Sequence, residues 1–217
     1  MTAHKTYKIR FHLNSPLSLN SPILHLDGIL TTAMLHKKKK EDPFIKTNIN
    51  QISNELVNLP IKFDKFYYAS AAIYDMSRRY ITNIYKKPVD NYHLWVNKDK
   101  ANLQQGLHKT YIVQVSYLPI SYVDFYVETD NIEELKELLT YLPGLGKYVN
   151  EGFGEIKGME FEEVGGSAII REGKTMRSLP VSYGILCRGK IMNVPYTPPY
   201  FKRTDEKCYL PFSEVIE

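Results

Sequence analysis

The most informative stretch of the sequence is GLGKYVNEGFG, residues 144–154, here called the Gly-rich loop. It consists of two Gly-x-Gly pairs separated by a spacer that contains Lys147 and Tyr148. The glycines are Gly144, Gly146, Gly152 and Gly154. Glycine permits positive φ and a close backbone approach, and successive free amides can form a nest for phosphate oxygens. We therefore predict an anion-binding loop; the alternative is a plain connection in which the glycines serve only as turn residues.

The elements on either side of the loop restrict its type. Upstream, residues 131–142 have the apolar spacing of a helix, with Asp130 as the predicted N-cap and Glu133 three residues later. Pro143 ends this helix, and Ile156 to Val164 follows as a strand. Because the loop follows a helix and lacks a Gly-Lys-Ser/Thr ending, the sequence excludes a Walker loop and a dinucleotide fingerprint.

The rest of the chain supplies the remaining elements. Tyr7 to Leu13 alternates apolar and polar residues, as a half-buried strand does. A helix follows from Leu26 to the lysine run, Lys37–Lys40, where cations suit a helix C-terminus. Residues 65–74, 111–117 and 122–128 indicate strands, and we expect the last two to form a hairpin.

We thus predict an α+β protein with the βαββαβ order of a ferredoxin-like, RRM-like fold. The domain is expected over residues 1–164, with inserted strands, and a small β-rich C-terminal extension over residues 165–217. The chain has 217 residues with 43% apolar content, enough to fill a core. Its net charge of +4 is only mildly basic.

Composition also limits location and cofactors. Cys187 and Cys208 are the only cysteines and cannot form a tetrahedral site alone. No apolar run reaches the roughly 20 residues of a membrane span, and the N-terminus lacks the apolar region of a signal peptide. We expect a cytoplasmic protein with no membrane association, no metal and no cofactor.

A loop of this spacing with an embedded lysine, after the second helix of a ferredoxin-like domain, resembles the RAMP superfamily of CRISPR-associated proteins. Two further stretches, residues 13–16 and 22–30, are similar to the N-terminus of the five-type RAMP subunit of type IV complexes. Residues 68–71, 176–180 and 198–201 are similar to later parts of that subunit.

The resemblance implies a non-catalytic subunit that grips the 5′ handle of the guide RNA (crRNA). It also implies contacts with the backbone subunit and the large subunit, near the target DNA duplex that carries the protospacer-adjacent motif. Within the Gly-rich loop, its four glycines, Lys147 and Tyr148 are the expected RNA contacts.

Other basic residues are further candidates for RNA contact, each with a structural alternative. Lys38 and Lys39 belong to a lysine run that contacts phosphates or is simply a solvated helix end. Arg78 and Arg79 precede Tyr80, a mixture that suits single-stranded RNA; the alternative is that the tyrosine is a core residue and the arginines are ordinary surface residues. The remaining candidates, Arg171, Lys174 and Arg177, surround Gly173 in a basic segment, although Arg177 could instead pair with a carboxylate.

The alternative function is a metal-independent RAMP endoribonuclease that processes precursor crRNA. Such an enzyme needs a general base and acid near the scissile phosphate. His36, at the end of the first helix, is the best-placed histidine. The sequence contains no HExxH or GxSxG motif and no carboxylate cluster suited to two-metal chemistry, and it therefore favours a subunit that is not an enzyme.

Overall fold

The computed structural model of the chain describes residues 4–42, 58–86, 111–200 and 206–216. The polar stretch of residues 91–106, predicted as a loop, and Phe201 lie outside these residues. The described helices and strands are β1 (Lys5–Leu13), β2 (Leu17–Ser18), α1 (Leu26–Glu41), β3 (Tyr80–Lys86), β4 (Tyr111–Leu118), β5 (Tyr122–Thr129), α2 (Ile132–Leu139), β6 (Ile156–Val164), β7 (Ile170–Arg171), β8 (Lys174–Thr175), β9 (Leu179–Pro180), β10 (Cys187–Arg188), β11 (Ile191–Asn193), β12 (Lys207–Tyr209) and β13 (Glu214–Val215). The protein is mixed α and β, with few helices and several antiparallel sheets.

The central sheet has β1 in the middle, paired antiparallel with β5 on one side and β6 on the other. Segment 69–73 lies along the other edge of β5 through the bridges Ala69↔Val127 and Ile73↔Asp124. The strand predicted over residues 65–74 is therefore an irregular segment joined by isolated bridges. Its backbone is nevertheless paired, since the Ser70 N–H donates to the Tyr126 carbonyl at 2.8 Å.

Both helices pack against the sheet in one hydrophobic core. Ile9 and Phe11 of β1 are fully buried, as the period-two pattern predicts. Leu30 of α1 and Leu135 of α2 belong to the same buried cluster. On the opposite face of β1, Arg10 forms two hydrogen bonds with the Asp124 carboxylate, at 2.7 and 2.8 Å.

The N-terminus of α2 is capped one residue later than predicted. Asn131, not Asp130, accepts a hydrogen bond from the Glu134 N–H at 3.1 Å. The Asn131 amide in turn donates to the Glu134 carboxylate at 3.1 Å. The capping interaction thus joins Asn131 and Glu134, which have the same three-residue spacing as the predicted pair of Asp130 and Glu133.

A second antiparallel sheet has the strand order β2-β4-β3. The predicted hairpin between β4 and β5 is wrong, because β4 pairs with β2 and β3 while β5 pairs with β1. The two strands are adjacent in sequence but belong to different sheets. The pairing of β3 with β4 joins segments separated by residues 87–110.

The chain after residue 165 forms short strands in two further sheets, β10-β13-β8-β7 and β11-β12-β9. This part packs closely on the rest of the molecule, since the Ala71 N–H donates to the Met176 carbonyl at 2.6 Å. A small buried cluster of Phe66, Ile169 and Leu179 lies between the two parts.

Candidate nucleic-acid interface

The Gly-rich loop is attached to the protein by its own backbone. Leu145 is buried, and its N–H donates to the Gly154 carbonyl at 2.8 Å. The Gly154 N–H donates to the Pro16 carbonyl at 2.8 Å, and the Lys147 N–H donates to the Ser18 carbonyl at 2.7 Å. The start and the end of the loop are therefore fixed on β2 and on the residue that precedes it.

The middle of the loop is a single 3₁₀ turn, Val149–Glu151. Within the loop as a whole, six backbone amides donate to protein carbonyls: those of Leu145, Lys147, Glu151, Gly152, Phe153 and Gly154. The expectation that the loop presents a row of bare amides is wrong for these six. A phosphate would instead meet the side chains that the loop carries.

The glycines of the loop have different roles. Gly146 has φ +78°, and a Cβ there would overlap the Ser18 carbonyl oxygen. A Cβ at Gly154 would overlap the Leu145 carbonyl oxygen, so both positions require glycine for the fold. Gly152 has φ +87° and open space where a Cβ would lie. It is thus an exposed glycine that a ligand could approach.

Lys147 and the half-buried Tyr148 form the crest of the loop. The Lys147 side chain is exposed, and its ammonium lies 4.7 Å from the centroid of the Tyr148 ring. Tyr148 has φ 60°, a left-handed conformation that is uncommon for a residue with a side chain. Proteins bind single-stranded nucleic acid with these two kinds of group: cations contact the phosphates, and aromatic rings stack on the bases.

An aromatic row continues from the loop onto the second sheet. We define it as Phe153, Tyr117 and Tyr80, with ring centroids 5.9 Å apart for the first pair and 5.8 Å for the second. Tyr80 is 48% exposed. Lys86 of β3 also forms an ion pair with Glu151 of the loop at 2.5 Å. The loop and the β3–β4 pair therefore form one continuous surface.

Arg78 and Arg79 lie just before β3, next to this row. Both are exposed, and the Arg79 guanidinium donates to the Ser116 hydroxyl. Tyr117 is a member of the row that sequence analysis did not find. Its pattern in β4 marks a strand, but only the pairing with β3 brings it beside Tyr80.

The lysine run at the end of α1 lies beside the segment that leads into the loop. The ammonium groups of Lys37 and Lys40 are 5.6 and 5.4 Å from the ring centroid of Tyr141. Lys37 also pairs with Glu137 of α2 at 2.9 Å. Of the two predicted contacts in this run, Lys39 is exposed and Lys38 is half-buried.

The basic segment around Gly173 is divided by the fold. Arg171 donates to the Gly165 carbonyl at 2.8 Å, and its guanidinium lies 4.1 Å from the Tyr126 ring centroid. Lys174 is exposed on β8. Arg177, in contrast, has 0% exposure, so the predicted RNA contact is wrong for this residue. Its guanidinium is used inside the protein.

Arg177 is the centre of a buried polar cluster that sequence analysis anticipated only as an alternative. Its Nη2 lies 3.2 Å from the Asp27 carboxylate, which also accepts a 2.6 Å hydrogen bond from the Tyr200 hydroxyl. Arg177 further donates to the carbonyls of Tyr67 and Tyr196. The pair therefore ties α1 to the C-terminal segment.

Burial determines how the groups of this cluster titrate. It raises the pKa of Asp27 above its ordinary value, against the opposing effect of the Arg177 charge. Burial, followed by the Arg177 charge, lowers the pKa of His25 well below its ordinary value. His25 is therefore a neutral imidazole, stacked on the Tyr200 ring with centroids 4.6 Å apart.

His36, the candidate catalytic histidine, is exposed near the C-terminus of α1 and lines a cavity together with Lys39. It lies one helical turn from Lys39, so the two side chains share a face of the helix. In the part of the chain that the structure describes, no helix is long and apolar enough to cross a membrane.

Comparison with known proteins finds a partial likeness among solved structures. No protein-family model matches the chain, and no curated protein matches it. Among solved structures, the chain is similar to a chain of the cryo-EM structure of the Type III-B Cmr-beta bound to cognate target RNA, with a TM-score of 0.41 and 9% sequence identity. The likeness covers 74% of this chain and 61% of that chain, which is less than two thirds of its length. A TM-score of this size carries no argument about fold or function.

Proposed function

We propose that this chain is an RNA-binding subunit of a CRISPR effector complex, built on a ferredoxin-like domain. The proposed fold is supported by the order β1, α1, segment 69–73, β5, α2 and β6, which is the β-α-β-β-α-β plan. In this arrangement β3 and β4 are an insertion between the second and third strands of the plan. The C-terminal strands from β7 onward are the predicted appendage.

The observation that carries the function is the crest of the Gly-rich loop beside the aromatic row. Lys147 offers a cation, while Tyr148 and Tyr80 offer rings on the same continuous surface. Single-stranded RNA is bound through phosphate contacts and base stacking on such rings. Arg78 extends the positive charge of this surface as an exposed residue.

The finer assignment depends on the sequence resemblance to the five-type subunit of type IV complexes. It gives the ligand as the 5′ handle of the guide RNA and the neighbours as the backbone and large subunits. It also puts the chain near the target duplex that bears the protospacer-adjacent motif. In this proposal the chain binds and does not cleave.

The proposal is tested by titrating the purified full chain into labelled single-stranded repeat RNA at several salt concentrations. We expect binding whose log affinity falls linearly with log salt, by about 0.7 per phosphate contacted. Double-stranded DNA of the same sequence is the comparison ligand. Absence of binding, or binding without salt dependence, would reject the role.

A second candidate function is metal-independent cleavage of precursor RNA. The observation that favours it is the position of His36 with Lys39 beside a cavity, on one face of α1. Repeat RNA incubated with the chain in EDTA would then give a discrete product, lost in His36→Ala. The non-catalytic proposal expects intact RNA with both proteins.

A further inference from the structure

A cavity of about 650 Å³ lies between α1 and the segment of residues 194–200. We call it the α1 cavity. One wall is a face of α1 formed by Thr32, Leu35, His36 and Lys39, spaced as neighbours on a helix. The other walls are mostly apolar: Ile23, Leu24, Val194, Pro195, Pro198 and Pro199. Its size falls within the range of about 300–1,000 Å³ that holds small organic ligands.

The inner part of the cavity holds two polar groups. Ser178 is 1% exposed, and its hydroxyl has no hydrogen-bond partner among the residues that the structure describes. His25 is also buried, and its Nε2 accepts a 3.3 Å hydrogen bond from the Ser178 N–H. Because this imidazole is neutral and Nε2 accepts, its proton is on Nδ1. The cavity therefore offers a hydroxyl and a ring N–H to a ligand.

The outer part of the cavity is positively charged. Lys39 is exposed at the C-terminal end of α1, about 16 Å along the helix axis from Gly28 at the inner end. Lys37 and Lys40 of the same run lie against Tyr141. An anionic group at the mouth would thus meet a charge of opposite sign.

These three features together define the ligand chemistry. Apolar walls with prolines and the His25–Tyr200 ring pair suit a planar ring. The Ser178 hydroxyl and the His25 N–H suit a polar ring edge with acceptors. A fatty acid would leave these buried groups unpaired, at a cost. We propose that the α1 cavity binds one nucleotide, with its base inside and its phosphate at Lys39.

The nucleotide has two possible sources. It is either a free mononucleotide or an unpaired nucleotide of an RNA strand, and the second source rests on the proposed RNA-binding function. A strand held at the Gly-rich loop could reach the cavity, because the lysine run and the entry to the loop meet at Tyr141. Base insertion into such slots is one way in which proteins read single-stranded RNA.

The first arm of the test measures binding of AMP, GMP, CMP and UMP to the full chain by isothermal titration and saturation-transfer NMR. We expect at least one to bind about tenfold more tightly than ribose 5-phosphate, which lacks the base. Leu35→Trp, which fills the cavity, should abolish the signal, with folding checked by circular dichroism. Equal affinity for ribose 5-phosphate, or no nucleotide binding, would overturn the proposal.

Matched variants locate the phosphate and the base. Lys39→Gln should weaken nucleotide binding about tenfold, while Lys40→Gln, next to it but outside the lining, should leave it unchanged. Ser178→Ala should change the order of preference among the four bases. Equal losses in the two lysine variants would count against a phosphate position at Lys39.

The second arm uses single-stranded repeat RNA and separates this proposal from the proposed function. RNA binding without any mononucleotide binding overturns the cavity site and leaves the RNA-binding role standing. Mononucleotide binding without RNA binding supports the cavity as a site for free nucleotides and rejects the RNA-binding role. Binding of both, with Leu35→Trp weakening the RNA as well, assigns the cavity to a nucleotide of the strand.

Discussion

At the scale of single residues, we expect the pair formed by Asp27 and Arg177 to be sensitive to substitution. Both side chains are fully buried, and Asp27 also accepts a hydrogen bond from Tyr200. Replacing a partner in such a pair leaves an uncompensated buried charge. We expect Asp27→Ala to lower the free energy of unfolding by about 3–5 kcal/mol, measured by urea denaturation.

The control for this variant is Asp75→Ala, which removes an exposed carboxylate that accepts hydrogen bonds from the backbone and the hydroxyl of nearby Ser77. We expect that variant to change the unfolding free energy by less than about 1 kcal/mol. A loss for Asp27→Ala as small as that of the control would show that the buried pair does not hold the C-terminal segment on α1.

The interactions of Asp124 should make the stability of the protein depend on pH. Burial alone would raise the pKa of Asp124, but hydrogen bonds and charges from Arg10 and Lys8 lower it below its ordinary value. A lowered folded-state pKa means that the stabilisation is complete above the unfolded-state pKa and is lost as pH falls through the folded-state value. We expect Asp124→Asn to cost about 1–3 kcal/mol at pH 6.

That difference from the parent should shrink as pH falls below about 4, because the parent carboxylate becomes protonated. Thermal unfolding across pH 3 to 6 measures it. The control is Glu133→Gln, which removes an exposed pair with Lys136 and should change stability little at any of these pH values. A deficit in Asp124→Asn that is constant from pH 6 to 3 would contradict the assignment.

At the scale of elements, the Gly-rich loop and the turn at Gly184 form a natural comparison. Gly152 and Gly184 each end a single 3₁₀ turn, with φ +87° and +90° and open space around the Cα. Asn tolerates this left-handed conformation. We expect Gly152→Asn to fold and to weaken RNA binding several-fold, because the new side chain would project from the exposed surface of the loop that carries the crest.

Gly184→Asn should fold and bind RNA like the parent, since it lies on the C-terminal part. Gly146→Val should act on folding instead, because its side chain would overlap the Ser18 carbonyl. We expect the midpoint of thermal unfolding to fall in the absence of RNA as well as in its presence. Fluorescence anisotropy with labelled RNA measures the two Asn variants. Identical affinities for both would indicate that the crest is not an RNA surface.

The two faces of β3 make a second comparison at this scale. Tyr80 belongs to the aromatic row, whereas Tyr85, 63% exposed, is on the opposite face because strand side chains alternate. We expect Tyr80→Ala to cost about 1–3 kcal/mol of RNA-binding free energy, the value of one base stack. Tyr85→Ala should cost almost none, and equal losses would argue against stacking on the row.

Local patterns explain which elements could be predicted. β1 follows from strict alternation and α2 from the 3.6-residue spacing of Leu135 and its neighbours, and both are where the sequence places them. The partner of β4 could not be predicted, because its pairing with β3 spans residues 87–110 and no local signal reports it. Because β4 and β5 are adjacent in sequence, β5 was the expected partner of β4, but β5 pairs with β1 in the central sheet.

Burial was the second limit of sequence analysis. Arg177 lies in a segment with Arg171 and Lys174, and a charge in such a stretch is expected at the surface. Only the position of Asp27, 150 positions earlier in the chain, reveals why it is inside. The Gly-rich loop could be located from sequence, but the hydrogen bonds that its six amides donate to carbonyls of the loop and of residues 16–18 could not.

At the scale of the whole molecule, the loop crest, the aromatic row and the lysine run lie around the segment that joins α2 to β6. Contacts at Glu151 and Tyr141 connect the three surfaces. Three features to which the proposal assigns RNA binding thus converge from distant parts of the sequence, and their convergence favours one extended ligand over several small ones. RNA is the polyanion that fits cations and rings together.

The central claim is that Lys147 at the crest contacts RNA phosphate, and a charge reversal tests it most directly. Lys65 is the matched control, an exposed lysine whose ammonium lies 5.8 Å from the centroid of the Tyr183 ring. The measurement is the dissociation constant of single-stranded repeat RNA for Lys147→Glu and Lys65→Glu, with unchanged thermal unfolding. We predict a loss of about tenfold or more for Lys147→Glu with a reduced salt slope, and almost none for Lys65→Glu. Equal affinities for the two variants and the parent would contradict the claim.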